Sequence, residues 1–390
     1  MAIPEKFATA EGALHEAASR QTGLDDFGDD AYLQGLRVLL RALDTDLSLT
    51  GACRDRVFSS IVGVLIGRLY AQKGWQENPD CLRTVIRRPL IITGIPRTGT
   101  TALHKALSMD PQFQGLELWL AGTPMVRPPR EQWAGNPLFR QASAGLAAVA
   151  EVAPLVKTIH DMVADEPDEC LNAMVQSFVT IQFSSTMHVP SYHEWFLAQD
   201  ETPSYRRYAD LLKLIGFHDQ DKRWLLKNPG HVLGIEPLLQ SFPDALIVHT
   251  HRNPIEAVPS TCSLVETFRT FYLGGQTYPR ELGRTHSELW SIGLRRMMAA
   301  GDQQPERFYD VEFGELNTDP IGVVRGVYEW AGLVLDPHSE RKMKDWLDTH
   351  SEGKSGVHRY SAEQFGLSPE TIKRQYGEYL ARYYPSALAH

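Results

Sequence analysis

The chain has 390 residues, 43% of them hydrophobic, enough to build one large domain or two ordinary ones around a proper core. A formal net charge of −9 argues against a general binder of nucleic acid or of anionic membranes, because such surfaces call for a positive field. Any anionic ligand has to be met locally.

The four cysteines, Cys53, Cys81, Cys170 and Cys262, form neither a C-x-x-C pair nor a dense disulfide framework, which points to a reducing compartment. The opening stretch has no cationic segment leading into an apolar one, and no run of about 18 apolar residues occurs anywhere. The expectation is a cytoplasmic protein with no membrane insertion.

In chain order, apolar residues recur at helical spacing from about 31 to 69, which predicts an N-terminal helical region over residues 1–88. Residues 89–108, "PLIITGIPRTGTTALHKALS", read as strand, glycine-bearing turn and helix. The stretch from about 112 to 222 predicts a mainly helical insertion carrying the substrate side. "RWLLKNPGHVLGIEPLLQSFP" and "DALIVHTHRNPIEAVPSTCSL" then repeat the strand-to-helix rhythm. This alternation predicts an α/β fold: a P-loop-type parallel sheet flanked by helices, spanning 89–350 and closed by a loop and helix over 351–390.

The first turn has the spacing of the phosphate-cradling loop G-x-x-x-x-G-K-[ST], but Thr100 stands where the lysine belongs and Arg97 sits inside the loop. Free N–H groups at the start of the following helix favour an anion. Gly94 and Gly99 permit close backbone approach, Thr100 and Thr101 add hydroxyls, and Arg97 offers a planar fork. A triphosphate enzyme needs the absent lysine. After the third strand-like run, Asn253 is a predicted N-cap and Pro254 the first helical residue, so Arg252 projects at a second helix N-terminus, with Ser260 about two turns in. Lys227 follows a strand and precedes a helix predicted to begin near Pro229, which places it on the same sheet edge as Arg97 and Arg252.

The P-R-T-G-T-T stretch resembles the 5′-phosphosulfate loop of sulfotransferases, in the form found in their bacterial branch, and is also similar to that of tyrosylprotein sulfotransferases. The resemblance implies that Arg97, Thr98, Gly99, Thr100 and Thr101 hold the 5′ end of 3′-phosphoadenosine 5′-phosphosulfate (PAPS). The strand–Arg-Asn-Pro run with its serine eight residues on resembles the family's 3′-phosphate motif, implying that Arg252 and Ser260 clamp that group. Lys227 resembles the lysine that binds the leaving phosphate. Phe313 stands where cytosolic members place a tyrosine near the cofactor, and Ala102 where they often have an aromatic. Lys354 and Gly356 lie in a stretch that resembles the loop closing over the cofactor.

For the general base, Glu117, twenty residues past Arg97, resembles the glutamate of tyrosylprotein sulfotransferases. Leu116, Leu118 and Trp119 are expected to desolvate it and raise its pKa, with Arg97 and Lys227 opposing that shift. His160, in a phrase with Asp165 and Glu169 that resembles bacterial members, and His231 stay open as alternatives; a capping role suits His231 better. The implied activity is a PAPS-dependent O-sulfotransferase: metal-independent, in-line transfer to a hydroxyl of a small lipophilic acceptor. Met162, Met174, Phe178, Phe183, Trp195 and Phe196 are apolar material for such an acceptor or for a core. Two rivals are a P-loop kinase, which lacks its lysine here, and a non-catalytic nucleotide- or sulfolipid-binding module, which would need no base. The acceptor's identity and the oligomeric state are not legible.

Overall fold

The computed structural model describes residues 3–159, 162–350 and 360–388. His160, Lys354 and Gly356 lie outside the described residues. The chain divides into two compact units, one formed by residues 1–85, 116–220 and 267–277, the other by 86–115, 221–266 and 278–390.

The first unit is helical. In the helix Ala31–Thr45, Tyr32, Leu36, Leu39, Leu40 and Leu43 are buried, the spacing of one apolar stripe. Gly35 lies on that stripe, where a Cβ would collide with the Phe178 carbonyl group; only glycine lets the two backbones approach. The 27-residue helix Gly51–Glu77 carries the buried Arg68, which donates to the carbonyl oxygens of Phe27, Asp29 and Gln176. Of the apolar residues singled out in the 112–222 stretch, Met174, Phe178, Phe183 and Phe196 are buried core.

The second unit holds a five-stranded parallel sheet in the order β2-β3-β1-β4-β5. Its strands are β1 (Leu90–Thr93), β2 (Phe113–Gln114), β3 (Arg223–Lys227), β4 (Leu246–His251) and β5 (Phe308–Glu312). Every residue of β1 and β4 is buried, and β1 and the first half of β4 read as continuous apolar runs, as expected of parallel strands covered on both faces, with His249 and His251 buried further along β4. Helices Thr100–Leu107, Pro320–Ala331 and Pro337–His350 share one core with the sheet through Leu103, Leu107, Val324, Val327 and Met343. In that core the Tyr328 hydroxyl donates to the buried Asp110 carboxylate at 2.7 Å.

The helix expected near Pro229 is instead a single 3₁₀ turn, Pro229–Val232, followed by a helix over Ile235–Ser241. Asn228 Oδ1 caps that turn by accepting from Gly230 N, and Gly230 and Gly234 both disfavour a continuous helix. No helix among the described residues is long and apolar enough to cross a membrane.

Candidate functional site

The strand order puts β1 between β3 and β4, so the ends of three neighbouring strands lead into the segments carrying Lys227, Arg97 and Arg252. This is the edge of an open parallel sheet where ligands characteristically bind. Between β1 and the helix Thr100–Leu107 the turn is left-handed at Gly94 (φ 150°), Arg97 (φ 71°) and Gly99 (φ 90°). At Gly94 a Cβ would collide with the Thr250 carbonyl oxygen. Arg97 has no glycine's freedom, and holding a non-glycine residue there costs on the order of 1–3 kcal/mol. Two contacts hold it. Arg252 Nη1 donates to the Arg97 carbonyl oxygen at 3.1 Å, and Arg97 Nε donates to Ser260 Oγ at 3.3 Å.

Arg97, Arg252 and Ser260, assigned from two separate stretches of sequence, therefore meet. Lys227 Nζ donates to Thr101 Oγ1 at 3.4 Å, with the lysine only 1% exposed. Phe313 begins the helix Phe313–Thr318, and the Arg252 guanidinium lies 4.3 Å from its ring centroid, a cation–π contact. Thr98 differs from its neighbours. Its hydroxyl is buried, donates to the Ile95 carbonyl oxygen at 2.8 Å and lies 2.6 Å from Thr250 Oγ1, so it staples the turn from inside. Gly99 provides no side-chain cap, and the first N–H groups of Thr100–Leu107 face the turn without one.

Sequence reasoning missed several partners. Thr261 Oγ1 donates to the Pro96 carbonyl oxygen at 3.1 Å, and Glu256 takes an ion pair from Arg252 at 3.3 Å. Glu256 stands four residues after Arg252 on a predicted helix, a spacing that could have revealed it.

Glu117 belongs to the first unit, where it is the N-cap of the helix Leu118–Gly122 and is 8% exposed, with Leu116 and Trp119 buried beside it in sequence. Its Oε2 accepts from both Nε and Nη2 of Arg127 at 3.1 Å, and Arg127 Nη1 reaches Asp219 at 2.8 Å. Burial pushes the Glu117 carboxyl above the usual range; the Arg127 guanidinium opposes this, and Asp219 adds to it. The cation against Glu117 is thus Arg127, which the sequence reading did not consider. His231, in the second unit, is 0% exposed, and burial pushes its pKa down to about 3. It is a neutral, enclosed imidazole.

One group of described residues, His249, His251 and Asp310, lies close enough together to hold a cation. Both ring nitrogens of His251 are already engaged, Nε2 with Asp310 at 2.9 Å and Nδ1 with the Tyr379 hydroxyl at 2.8 Å. In the first unit a cleft of about 260 Å³ is lined by Leu146, Ala150, Val156, Met162 and Val163.

The profile of a sulfotransferase family matches residues 89–337, more than half of the chain. The solved structure of sulfotransferase STF1 from Mycobacterium tuberculosis H37Rv is 37% identical, with a TM-score of 0.86, over 96% of this chain and all of that one. Sulfotransferase STF9 from Mycobacterium avium is 26% identical at a TM-score of 0.83, over 96% of each chain. The mycobacterial protein named omega-hydroxy-beta-dihydromenaquinone-9 sulfotransferase Stf3, from M. bovis and M. tuberculosis, is 26% identical over 302 residues, 76% of this chain and 74% of its own. With a five-stranded parallel sheet, a cation-lined turn after its central strand and these likenesses, the chain belongs to the sulfotransferase family.

Proposed function

We propose that the protein transfers the sulfuryl group of PAPS to a hydroxyl on a lipophilic small molecule, by in-line displacement that needs no metal. The observation that carries this reading is the meeting of Arg97, Arg252 and Ser260 beside a turn of P-loop spacing that lacks the P-loop lysine. A donor with phosphates at both ends of its ribose calls for two such anion sites. In the reaction the acceptor oxygen forms a bond to sulfur, the bond from sulfur to the bridging oxygen breaks, and the electron pair passes to the 5′-phosphate. Catalysis then consists of positioning and of neutralising charge that grows on the leaving phosphate.

Arg97 and Lys227, with the N–H groups of the turn and the hydroxyls of Thr100 and Thr101, are assigned to the 5′-phosphosulfate. Thr98 contributes its backbone, since its hydroxyl is spent inside the turn. Arg252 and Ser260 are assigned to the 3′-phosphate, and Phe313 backs Arg252. The lipophilic acceptor is supported by the quinone named in the mycobacterial relative. Glu117 is assigned as the base on its resemblance in spacing and on the burial that pushes its carboxyl above the usual range.

The primary experiment incubates the protein with sulfur-labelled PAPS and a panel of hydroxylated isoprenoid and phenolic acceptors, without metal, and looks for a product heavier by one sulfuryl group. Binding of ATP with magnesium in preference to PAPS, and no sulfated product, would overturn the reading. Glu117→Gln should bind PAPS normally and lose about 10²–10⁴ in rate, as general-base removal does. The parent's rate should fall on the acid side through a pKa above the ordinary carboxylate range, and the variant should lack that limb. A Glu117→Gln enzyme with near-parental activity would remove the base assignment and leave the cofactor site standing.

A further inference from the structure

β4 and β5 run in register to their last rung, His251 beside Glu312, so the next residue of each strand, Arg252 and Phe313, emerges side by side and stacks. The direction in which Arg252 points is therefore set by how firmly that last rung is held. Both of its members are gripped by the end of the chain. His251 Nδ1 meets the Tyr379 hydroxyl at 2.8 Å, its Nε2 meets Asp310 at 2.9 Å, and its ring stacks on Tyr383 at 4.1 Å between centroids. Glu312 divides its two oxygens. Oε2 accepts from the N–H groups of Gly314 and Glu315, capping the helix that Phe313 begins, and Oε1 accepts from the Tyr384 hydroxyl at 2.9 Å.

We infer that Tyr379, Tyr383 and Tyr384 are positioning residues for the donor's 3′-phosphate, acting through His251 and Glu312 on Arg252 and Phe313. The inference rests on the proposed assignment of Arg252 to that phosphate. The tyrosines lie more than 100 residues beyond Arg252, in and just after the helix Gly377–Tyr383, and touch no assigned ligand-binding residue directly in the contacts above. The hydroxyls of Tyr379 and Tyr384 are spent on the rung, and Tyr383 meets it with the face of its ring. Loosening the rung disturbs the stack of Arg252 on Phe313 while leaving its ion pair with Glu256, and blunts its hold on a phosphate without emptying the 5′ site.

The test uses the full chain and two ligands that differ by one group, adenosine 3′,5′-bisphosphate and adenosine 5′-phosphate, titrated calorimetrically. Tyr384→Phe removes one hydroxyl and little else, and Glu312→Gln keeps a cap while weakening the bond. Each should lose about 3- to 10-fold in affinity for the bisphosphate, the range for one intramolecular hydrogen bond, and less than about 2-fold for the monophosphate. In an Arg252→Ala background, Tyr384→Phe should add nothing further, since the two act in series. A merely structural tyrosine would weaken both ligands alike and keep its effect in that background, and either result overturns the inference, as does an unchanged bisphosphate affinity in both single variants. Arg252→Ala alone separates the layers: if it weakens both ligands equally, the 3′-phosphate assignment falls, and the brace falls with it; if it discriminates and Tyr384→Phe does not, only the brace falls.

Discussion

Between Thr93 and Thr100 the chain takes a left-handed φ at Gly94, Arg97 and Gly99, whereas between His251 and Pro254 no residue does. Both segments lead from a buried strand into a helix, and both carry an arginine. The first exposes backbone. Its helix begins after a glycine that cannot cap it, so the leading N–H groups stay available to an anion. The second closes its backbone, because Asn253 Oδ1 accepts from Ile255 N at 3.0 Å, and it offers an anion the side chain of Arg252 instead. On the proposed assignment, the first turn takes the group whose charge changes during reaction and the second the group whose charge stays constant.

Substitutions can break this contrast. The largest effects belong to the first turn and its neighbour: Arg97→Ala and Lys227→Ala should each lower kcat by about 10²–10³ while changing PAPS affinity far less, as removal of a donor aimed at developing charge does. Equal losses in affinity at unchanged kcat, read from pre-steady-state and steady-state kinetics, would reduce them to docking residues. Arg252→Ala should be next, with about 10- to 100-fold weaker binding of the bisphosphate product, the value of a charge-assisted hydrogen bond, and a smaller change in kcat. A collapse of kcat with affinity intact would erase the division of labour. The smallest effect is expected at Asn253→Ala, which should cost about 1 kcal/mol of stability in thermal or denaturant unfolding. The first turn has no equivalent cap to remove.

The two turns were also unequally legible. β1, β3 and β4 announce themselves as short apolar runs next to glycine or proline, and the arginine-to-serine spacing after β4 brought Ser260 into view before any geometry did. β2 is two residues long, too short for any period, and β5 mixes aromatic, acidic and apolar residues in half-buried positions. Side-chain pairings across long stretches left no trace in local pattern. Arg127 reaches Asp219 over 92 positions, and Tyr384 reaches Glu312 over 72, distances at which only the folded chain decides who meets whom. The inward turn of the Thr98 hydroxyl left no trace either, because Thr250, which takes it, stands 152 residues further on, on the adjacent strand.

The order β3-β1-β4 has a consequence for the protein when its donor is absent. Neighbouring strands stand about 4.8 Å apart, so three cations issue from a strip of sheet edge only about 10 Å wide. Like charges so crowded repel, and Glu256 meets the one on Arg252. The strip is thus a loaded electrostatic spring that any multivalent anion can unload. By mass action, sulfate or phosphate in a buffer will raise the melting temperature and compete with PAPS at the same time, and the two effects will scale together with anion concentration. On the proposed assignment, a preparation that looks most robust in phosphate is therefore the one whose donor site is most heavily occupied by the wrong ligand.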